Sequence, residues 1–268
     1  MRALLERFGS AEAVFDATPE HLMEIKGIGK VIAKAIAATD LTRTDSAIAR
    51  WEAQGVRVLD WAQAEYPDRL RGLTDAPPTL FVRGAALTLR RPVALVGTRQ
   101  PTRESALLTE QMATTLASAG RSVISGMALG IDTRAHTGAL QIPDAITHAV
   151  LGCGVLKPYP PQNLRLAEYI QTRGTLISEL SPDAGVSAAG LIARNRIISG
   201  LCEAVVVMQS NADGGAMYAA RAAIRQGCAL YVIDDPQNDP QAQSAIDVLR
   251  EMGAIPLSVA EALAWSAG

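Results

Sequence analysis

The chain has 268 residues, 49% hydrophobic and 19% charged, which suffices for a full core and excludes extensive disorder. Its formal charge of -2 argues against coating nucleic acid through net charge alone, so any anion site must be local. Cys153, Cys202 and Cys228 lack zinc spacing and read as buried, reduced thiols of a cytoplasmic protein, while no apolar run approaches the ~20 residues of a membrane span.

Residues 1–55 read as a small helical domain. Leu4, Leu5 and Phe8 form one apolar stripe, and Thr18-Pro19-Glu20 is a helix start with proline in the first turn. The stretch from Leu22 to Ala33 has the helix, Gly-Ile-Gly turn, helix pattern of a helix-hairpin-helix. In such a hairpin Gly27 and Gly29 let the second helix present its amides to a DNA phosphate, with Lys26 and Lys30 adding charge; the same pattern also serves a hairpin used only for packing or protein contact. An amphipathic helix is expected over 41–57, with Ile48 and Trp51 on its inner face. Residues 56–91 read as an extended connector on the core: Val56 to Leu59 form a short strand, and the proline-punctuated stretch to Gly84 is an edge strand or a strap.

From residue 92 to 268 strands and helices alternate. Strands are expected at 93–96, 122–124, 146–151, 175–177, 204–208 and 229–233, with a short one near Ile255, and helices at 104–119, 133–141, 164–172, 195–201, 215–226 and 241–252. The strands are continuous apolar runs, as burial on both faces of a parallel sheet requires. The fold class is therefore α/β, a Rossmann-like doubly wound, mostly parallel sheet with a small N-terminal helical domain.

Ligands of such sheets sit beyond the carboxyl ends of the strands, and here nearly every strand exits into glycine or charge. The first leads to Gly97-Thr98-Arg99, and the second to the turn from Ser125 to His136, which contains Gly126 and Gly130. The third leads to Gly152-Cys153-Gly154, Lys157, Tyr159 and Asn163, and the fourth to Ser178-Glu179. Arg194-Asn195-Arg196 opens the next helix, and the fifth strand runs into the turn from Ser210 to Gly215. Any one of Arg99, Arg134, Lys157, Arg194 and Arg196 would pass for a solvated surface charge. As a set beside exposed amides, they make a phosphate site. Asp132 is expected to cap amides at its helix start, and His136, one turn on, to donate to Asp132. Glu179 is expected to pair with a nearby arginine. No nucleophile with a matched base and no carboxylate cluster with metal-ligand spacing is present, so no catalytic residue and no metal ligand is assigned.

In order and in type these residues resemble the DNA-processing protein A (DprA, also called Smf) family. The shared pattern runs through Val96 to Arg99, Ser125 to His136, Gly152 to Asn163, Ser178-Glu179 and Arg194 to Ile198. The resemblance implies a homodimer that binds single-stranded DNA in the cleft and helps load RecA recombinase in natural transformation or recombination, with no cofactor and no covalent chemistry. It implies DNA contacts at Arg99, Gly126, Gly130, Lys157, Arg194 and Arg196, and structuring roles for Gly97, Ser125, Asp132, His136, Gly152, Gly154, Asn163 and Asn195. Tyr159 is placed to stack on a base.

The departures from the pattern are specific. Thr98 replaces a serine, and Gly190-Leu191-Ile192-Ala193 replaces a Phe-Pro step. The family's glutamate and Ser-Gly-Ser-x-x-Thr-Ala turn become Met208-Gln209 and Asp213-Gly214-Gly215-Ala216-Met217-Tyr218-Ala219, so that an acid stands where a hydroxyl would hold phosphate. The Val-Pro-Gly turn becomes Ile233-Asp234-Asp235-Pro236. The chain is also expected to begin after the family's first helical hairpin and to end without a winged-helix domain. An alternative is a Rossmann-like nucleotide receptor or nucleotide-processing enzyme, with Asp213, Asp234 and Asp235 on ribose hydroxyls; a scaffold with a vestigial cleft is a third. Apolar strand edges and helices near Val205 to Met208 and Ala229 to Ile233 are candidate dimer surfaces.

Overall fold

The structure, a computed structural model, describes residues 2–235 and 240–268, so Pro236 at the end of the divergent segment lies outside the described residues. The chain divides into two compact units, Met1–Gln54 and Gly55–Gly268.

The first unit holds α1 (Arg2–Phe8), α2 (Ala11–Phe15), α3 (Pro19–Met23), α4 (Lys30–Ala37) and α5 (Leu41–Glu52). Ser10, Thr18 and Asp40 cap α2, α3 and α5 by accepting from the amides of Ala13, His21 and Arg43. Leu4, Val14, Leu22 and Ala33 form its core. Gly27, at φ +93°, reverses the chain between α3 and α4, and Gly29 is the N-cap of α4. The helix expected over 41–57 stops at Glu52, because Gly55 takes φ +76° and Val56 begins a strand. No residue of α5 is buried, and Ile48 and Trp51 are only half-buried, so the expected inner face is not a core face.

The second unit runs β1 (Val56–Asp60), α6 (Asp68–Arg71), β2 (Thr79–Gly84), β3 (Val93–Gly97), α7 (Arg103–Ser118), β4 (Val123–Ser125), α8 (Ile131–Leu140) and β5 (Thr147–Val150). A 3-10 turn (Pro161–Asn163) leads to α9 (Leu164–Arg173), β6 (Thr175–Ser178), α10 (Ala188–Ala193), α11 (Asn195–Leu201), β7 (Ala204–Gln209) and α12 (Ala216–Arg225). The chain finishes with β8 (Ala229–Ile233), α13 (Pro240–Glu251), β9 (Ile255–Leu257) and α14 (Val259–Ala267).

These strands form one nine-stranded sheet in the order β1-β2-β6-β5-β4-β3-β7-β8-β9. Every pair from β6 to β9 is parallel, and the antiparallel β1–β2 pair extends it, with Val82 opposite Ile177. The proline-punctuated stretch therefore contributes β2, which lies inside the sheet between β1 and β6 rather than at the edge expected of it, and β1 takes the edge. Pro77 anchors the stretch: its carbonyl accepts from Trp61 Nε1 at 2.8 Å and from the Tyr66 hydroxyl at 2.6 Å.

Alternate residues of β3 divide between two cores, Ala94 and Val96 packing with α11 and α12 on one face and Val93 and Leu95 with α7 and α8 on the other. This two-sided burial is why the strands read as unbroken apolar runs. Strand β7 lies between β3 and β8, and β8 between β7 and β9. Residues 205–208 and 229–233 thus have no open strand edge, and Val205–Met208 is buried, so the strand edges expected there are not available for a dimer. The chain winds outward from β3 through β4 on one side and through β7 on the other, which makes the β3/β7 boundary the topological switch point.

Candidate functional site

A cleft of about 500 Å³ opens at this switch point. Thr98 and Arg99 after β3, Ala128 and Asp132 from the turn into α8, Leu191 and Ile192 of α10, Arg194, and Asn211, Gly214 and Tyr218 after β7 line it. A smaller cavity, about 60 Å³, lies beside it against Leu129, Leu151, Tyr159 and Pro160. Arg99, Ala128, Leu191 and Arg194 border both.

The turn from Ser125 to His136 is held from several directions. The buried Ser125 hydroxyl donates to the Leu95 carbonyl at 2.7 Å, and the Ile131 amide donates to the Thr98 carbonyl at 3.1 Å. Asn163 Nδ2 donates to the Met127 carbonyl at 2.8 Å and to Thr133 Oγ1 at 2.9 Å. Gly130 has φ +82°, and a Cβ there would lie 2.6 Å from the Arg99 carbonyl carbon. A Cβ at Gly97 would lie 2.5 Å from Ile131 Cγ1, and one at Gly152 would lie 2.7 Å from Leu191 Cα. Gly154 packs as tightly on the Pro182 carbonyl, so these glycines permit close approach of backbones. Among the described residues, the amides of Leu129 and Gly130 have no acceptor, which leaves two donors at the start of α8.

Arg194 holds this arrangement together and is itself neutralised. Only 8% exposed, it donates from Nη1 to the Val150 carbonyl at 2.9 Å and from Nη2 to Asp132 Oδ2 at 3.3 Å. Among the described residues its buried Nε has no hydrogen-bond partner. Gly126 is glycine for this reason, since a Cβ there would overlap the guanidinium. Asp132 also accepts from the Ala128 amide at 3.2 Å, the capping role expected of it.

The bond expected from His136 to Asp132 is not made. The fully buried ring places Nε2 2.7 Å from the Gly126 carbonyl and Nδ1 2.7 Å from Thr147 Oγ1, while the carboxylate is taken up by Arg194 and Ala128. A carbonyl only accepts, so Nε2 carries a proton, and burial lowers the ring's pKa.

The remaining candidates separate by location. Arg99 is exposed, lines both cavities and, among the described residues, has no ion-pair partner. Lys157 is exposed but lines neither cavity, and Tyr159 is 40% exposed at the mouth of the smaller one. Arg196 pairs with Glu179 and lies 3.9 Å from Asp75, outside the lining of both cavities. Arg134 pairs with Glu110 at 2.6 Å. Asn195 Nδ2 donates to the Leu191 carbonyl at 3.2 Å and tethers α11 to α10. Lys26, Gly27, Gly29 and Lys30 belong to the first unit, where both lysines are exposed.

Asp213 is exposed and outside the lining, so the wall after β7 consists of Asn211, Gly214, Gly215, Ala216 and Tyr218. Asp234 is bound by Arg250 and does not reach the cleft. The ribose contacts expected of these acids under the nucleotide alternative are therefore not formed by this cleft. Sequence reasoning missed Tyr218; its signal was an aromatic in the first turn of a helix that follows two glycines.

Fold and cleft together define a Rossmann-like α/β protein whose ligand site combines glycine turns, open amides and an exposed arginine at the switch point. Among the described residues no group of three His, Cys, Asp or Glu could hold a metal ion, and no helix is long and apolar enough to cross a membrane. Residues 57–266 match the family described as DNA recombination-mediator protein A, and the chain belongs to that family. It is 30% identical over 98% of its length to Protein Smf of Synechocystis sp., of which it covers 68%. It is 30% identical over 76% of its length to DNA processing protein DprA of Bacillus subtilis, of which it covers 69%. The X-ray structure of DprA from Streptococcus pneumoniae aligns with a TM-score of 0.81 at 27% identity, covering 98% of this chain and 90% of that one. DprA of Helicobacter pylori, solved for its single-stranded DNA binding mode, aligns at 0.69 and 27% identity, covering 79% and 94%.

Proposed function

We propose that this chain is a single-stranded DNA-binding recombination mediator, which acts as a cytoplasmic homodimer, loads RecA onto the strand it holds in natural transformation or recombination, and uses no cofactor and no covalent chemistry. The observation that carries the reading is at the switch point, where Arg99 lines both cavities, Leu129 lines the smaller one and Gly130 abuts the Arg99 backbone; among the described residues the amides of Leu129 and Gly130 have no acceptor and Arg99 has no ion-pair partner. Amides at a helix start and a guanidinium both suit phosphate oxygens, and neither reads sequence. In support, a relative that shares the fold is a single-stranded DNA binder.

In this reading Arg99, Lys157 and the turn containing Gly126 and Gly130 take the backbone of the strand. Tyr159 offers a face for stacking, which contributes about 1–3 kcal/mol per base in single-strand binders. Arg194 is a positioning residue that holds the turn through Asp132. The helix-hairpin-helix, with Lys26, Gly27, Gly29 and Lys30, gives a second, weaker backbone contact.

Fluorescence anisotropy with labelled oligo-dT tests the binding. Affinity is expected to fall with salt, and an Arg99→Ala, Lys157→Ala double variant to make the slope of log affinity against log salt shallower by about 1.4. Salt-independent binding, or no binding at micromolar protein, overturns the reading. RecA filament growth on a protein-covered single strand, with and without the chain, tests loading, and analytical ultracentrifugation tests the homodimer.

A further inference from the structure

The wall after β7 departs from the family pattern in a way that changes its chemistry. Two serines of the Ser-Gly-Ser-x-x-Thr-Ala pattern are Asp213 and Gly215 here, and the threonine is Tyr218. Three aliphatic hydroxyls of the pattern are absent and one aromatic ring stands in their place. Tyr218 lies in the first turn of α12, is 39% exposed and lines the large cleft. Among the described residues its hydroxyl has no hydrogen-bond partner. Leu191 and Ile192 of α10 line the same cavity, which leaves it with an aromatic and an aliphatic wall.

The two cavities share a wall that carries Arg99 and Arg194. Tyr159 lines the cavity on one side of that wall and Tyr218 the cavity on the other. A single strand repeats as base, phosphate, base. A phosphate on Arg99 would have a cavity on either side for its neighbouring bases, each with an aromatic ring in its lining.

We infer that Tyr218 is a nucleobase-stacking residue, so that this cleft holds two successive bases astride one phosphate. The inference rests on the single-strand reading above and adds the base to a site otherwise described by backbone contacts. Stacking on an aromatic face tolerates every base, so it adds affinity without sequence preference.

The test compares oligo-dT with an abasic oligomer of equal length, each against the wild type and the Tyr218→Thr, Tyr218→Phe and Arg99→Ala variants. Tyr218→Thr is expected to weaken oligo-dT binding on the order of 10-fold and to leave abasic binding unchanged, whereas Tyr218→Phe keeps the affinity of the wild type. Arg99→Ala is expected to weaken both oligomers alike. If Tyr218→Thr affects both oligomers equally, or neither, while Arg99→Ala still weakens them, the inference fails and the single-strand reading stands. If the wild type binds neither oligomer, both fall.

Discussion

Substituting Gly126 by alanine adds one methyl group, and the structure predicts that its whole effect passes through Arg194. Gly126 does not occupy the left-handed region, so an alanine backbone is allowed there. The new Cβ would overlap the Nη1, Cζ and Nη2 atoms of Arg194, and no backbone atom is among its nearest neighbours. The guanidinium must therefore leave, breaking the 2.9 Å bond to the Val150 carbonyl and the 3.3 Å pair with Asp132. Asp132, 4% exposed, keeps the Ala128 amide as its sole charge-compensating donor. Breaking a buried pair on one side costs about 3–5 kcal/mol. Restricting the unfolded chain returns up to about 1 kcal/mol. A net loss of about 3 kcal/mol is expected. Urea unfolding, followed by tryptophan fluorescence and far-UV circular dichroism, measures it. In an Arg194→Ala background there is no guanidinium to displace, and Gly126→Ala is expected to be neutral or slightly stabilising. An equal cost in both backgrounds would refute the coupling.

Gly130→Ala is expected to behave differently: its obstacles are the Thr98 and Arg99 backbone, and its φ of +82° is unfavourable for alanine. A loss of about 1–3 kcal/mol, with weakened oligo-dT binding, should survive deletion of any side chain nearby; rescue by the Arg194→Ala background would contradict this. His148 is fully buried, donates from Nε2 to the Thr88 carbonyl at 2.8 Å and has its pKa lowered by burial from 6.5 to about 4. The unfolded chain takes up this proton first. Stability is therefore intact above pH 6.5 and declines as the pH falls toward 4, by roughly 3 kcal/mol. The buried His136 acts in the same direction. Urea midpoints between pH 7 and 4 should fall less steeply for His148→Gln than for the wild type, and parallel profiles would count against the assignment.

The parallel core was legible because its chemistry is local. Each central strand is buried on both sides, and such burial leaves an apolar run that no helix period explains. The end of α5 was not legible, because apolar spacing carries no information about the φ of Gly55. The glycine turns of the site could be read from their places after the strands. What the cations do could not be read, because it depends on partners remote in sequence. Arg194 and Arg196 stand two residues apart, yet one is paired with Asp132, 62 residues away, and the other with Glu179, 17 residues away. Only the fold shows that both are committed and that Arg99 is not. The place of Tyr218 was not legible, because nothing in the sequence distinguishes the residues after β7 that line the cleft from those, like Asp213, that do not.

This division of the cations sets the strength of the cleft's field. Of the five basic residues gathered by the sequence, Arg134, Arg194 and Arg196 are balanced by Glu110, Asp132 and Glu179. Arg99 and Lys157 remain to displace counterions from a single strand. Each neutralised phosphate contributes about -0.7 to the slope of log affinity against log salt, so two contacts give a slope near -1.4. The open amides and stacked rings add affinity but little slope, because they release no counterions. A slope near -1.4 would confine the electrostatic contact to Arg99 and Lys157. A slope about twice as steep requires two further cations, and the exposed Lys26 and Lys30 of the helical hairpin are placed beside its glycine turn. Replacing both lysines by alanine would then bring the slope back to the shallower value, while the affinity from the cleft stays in place.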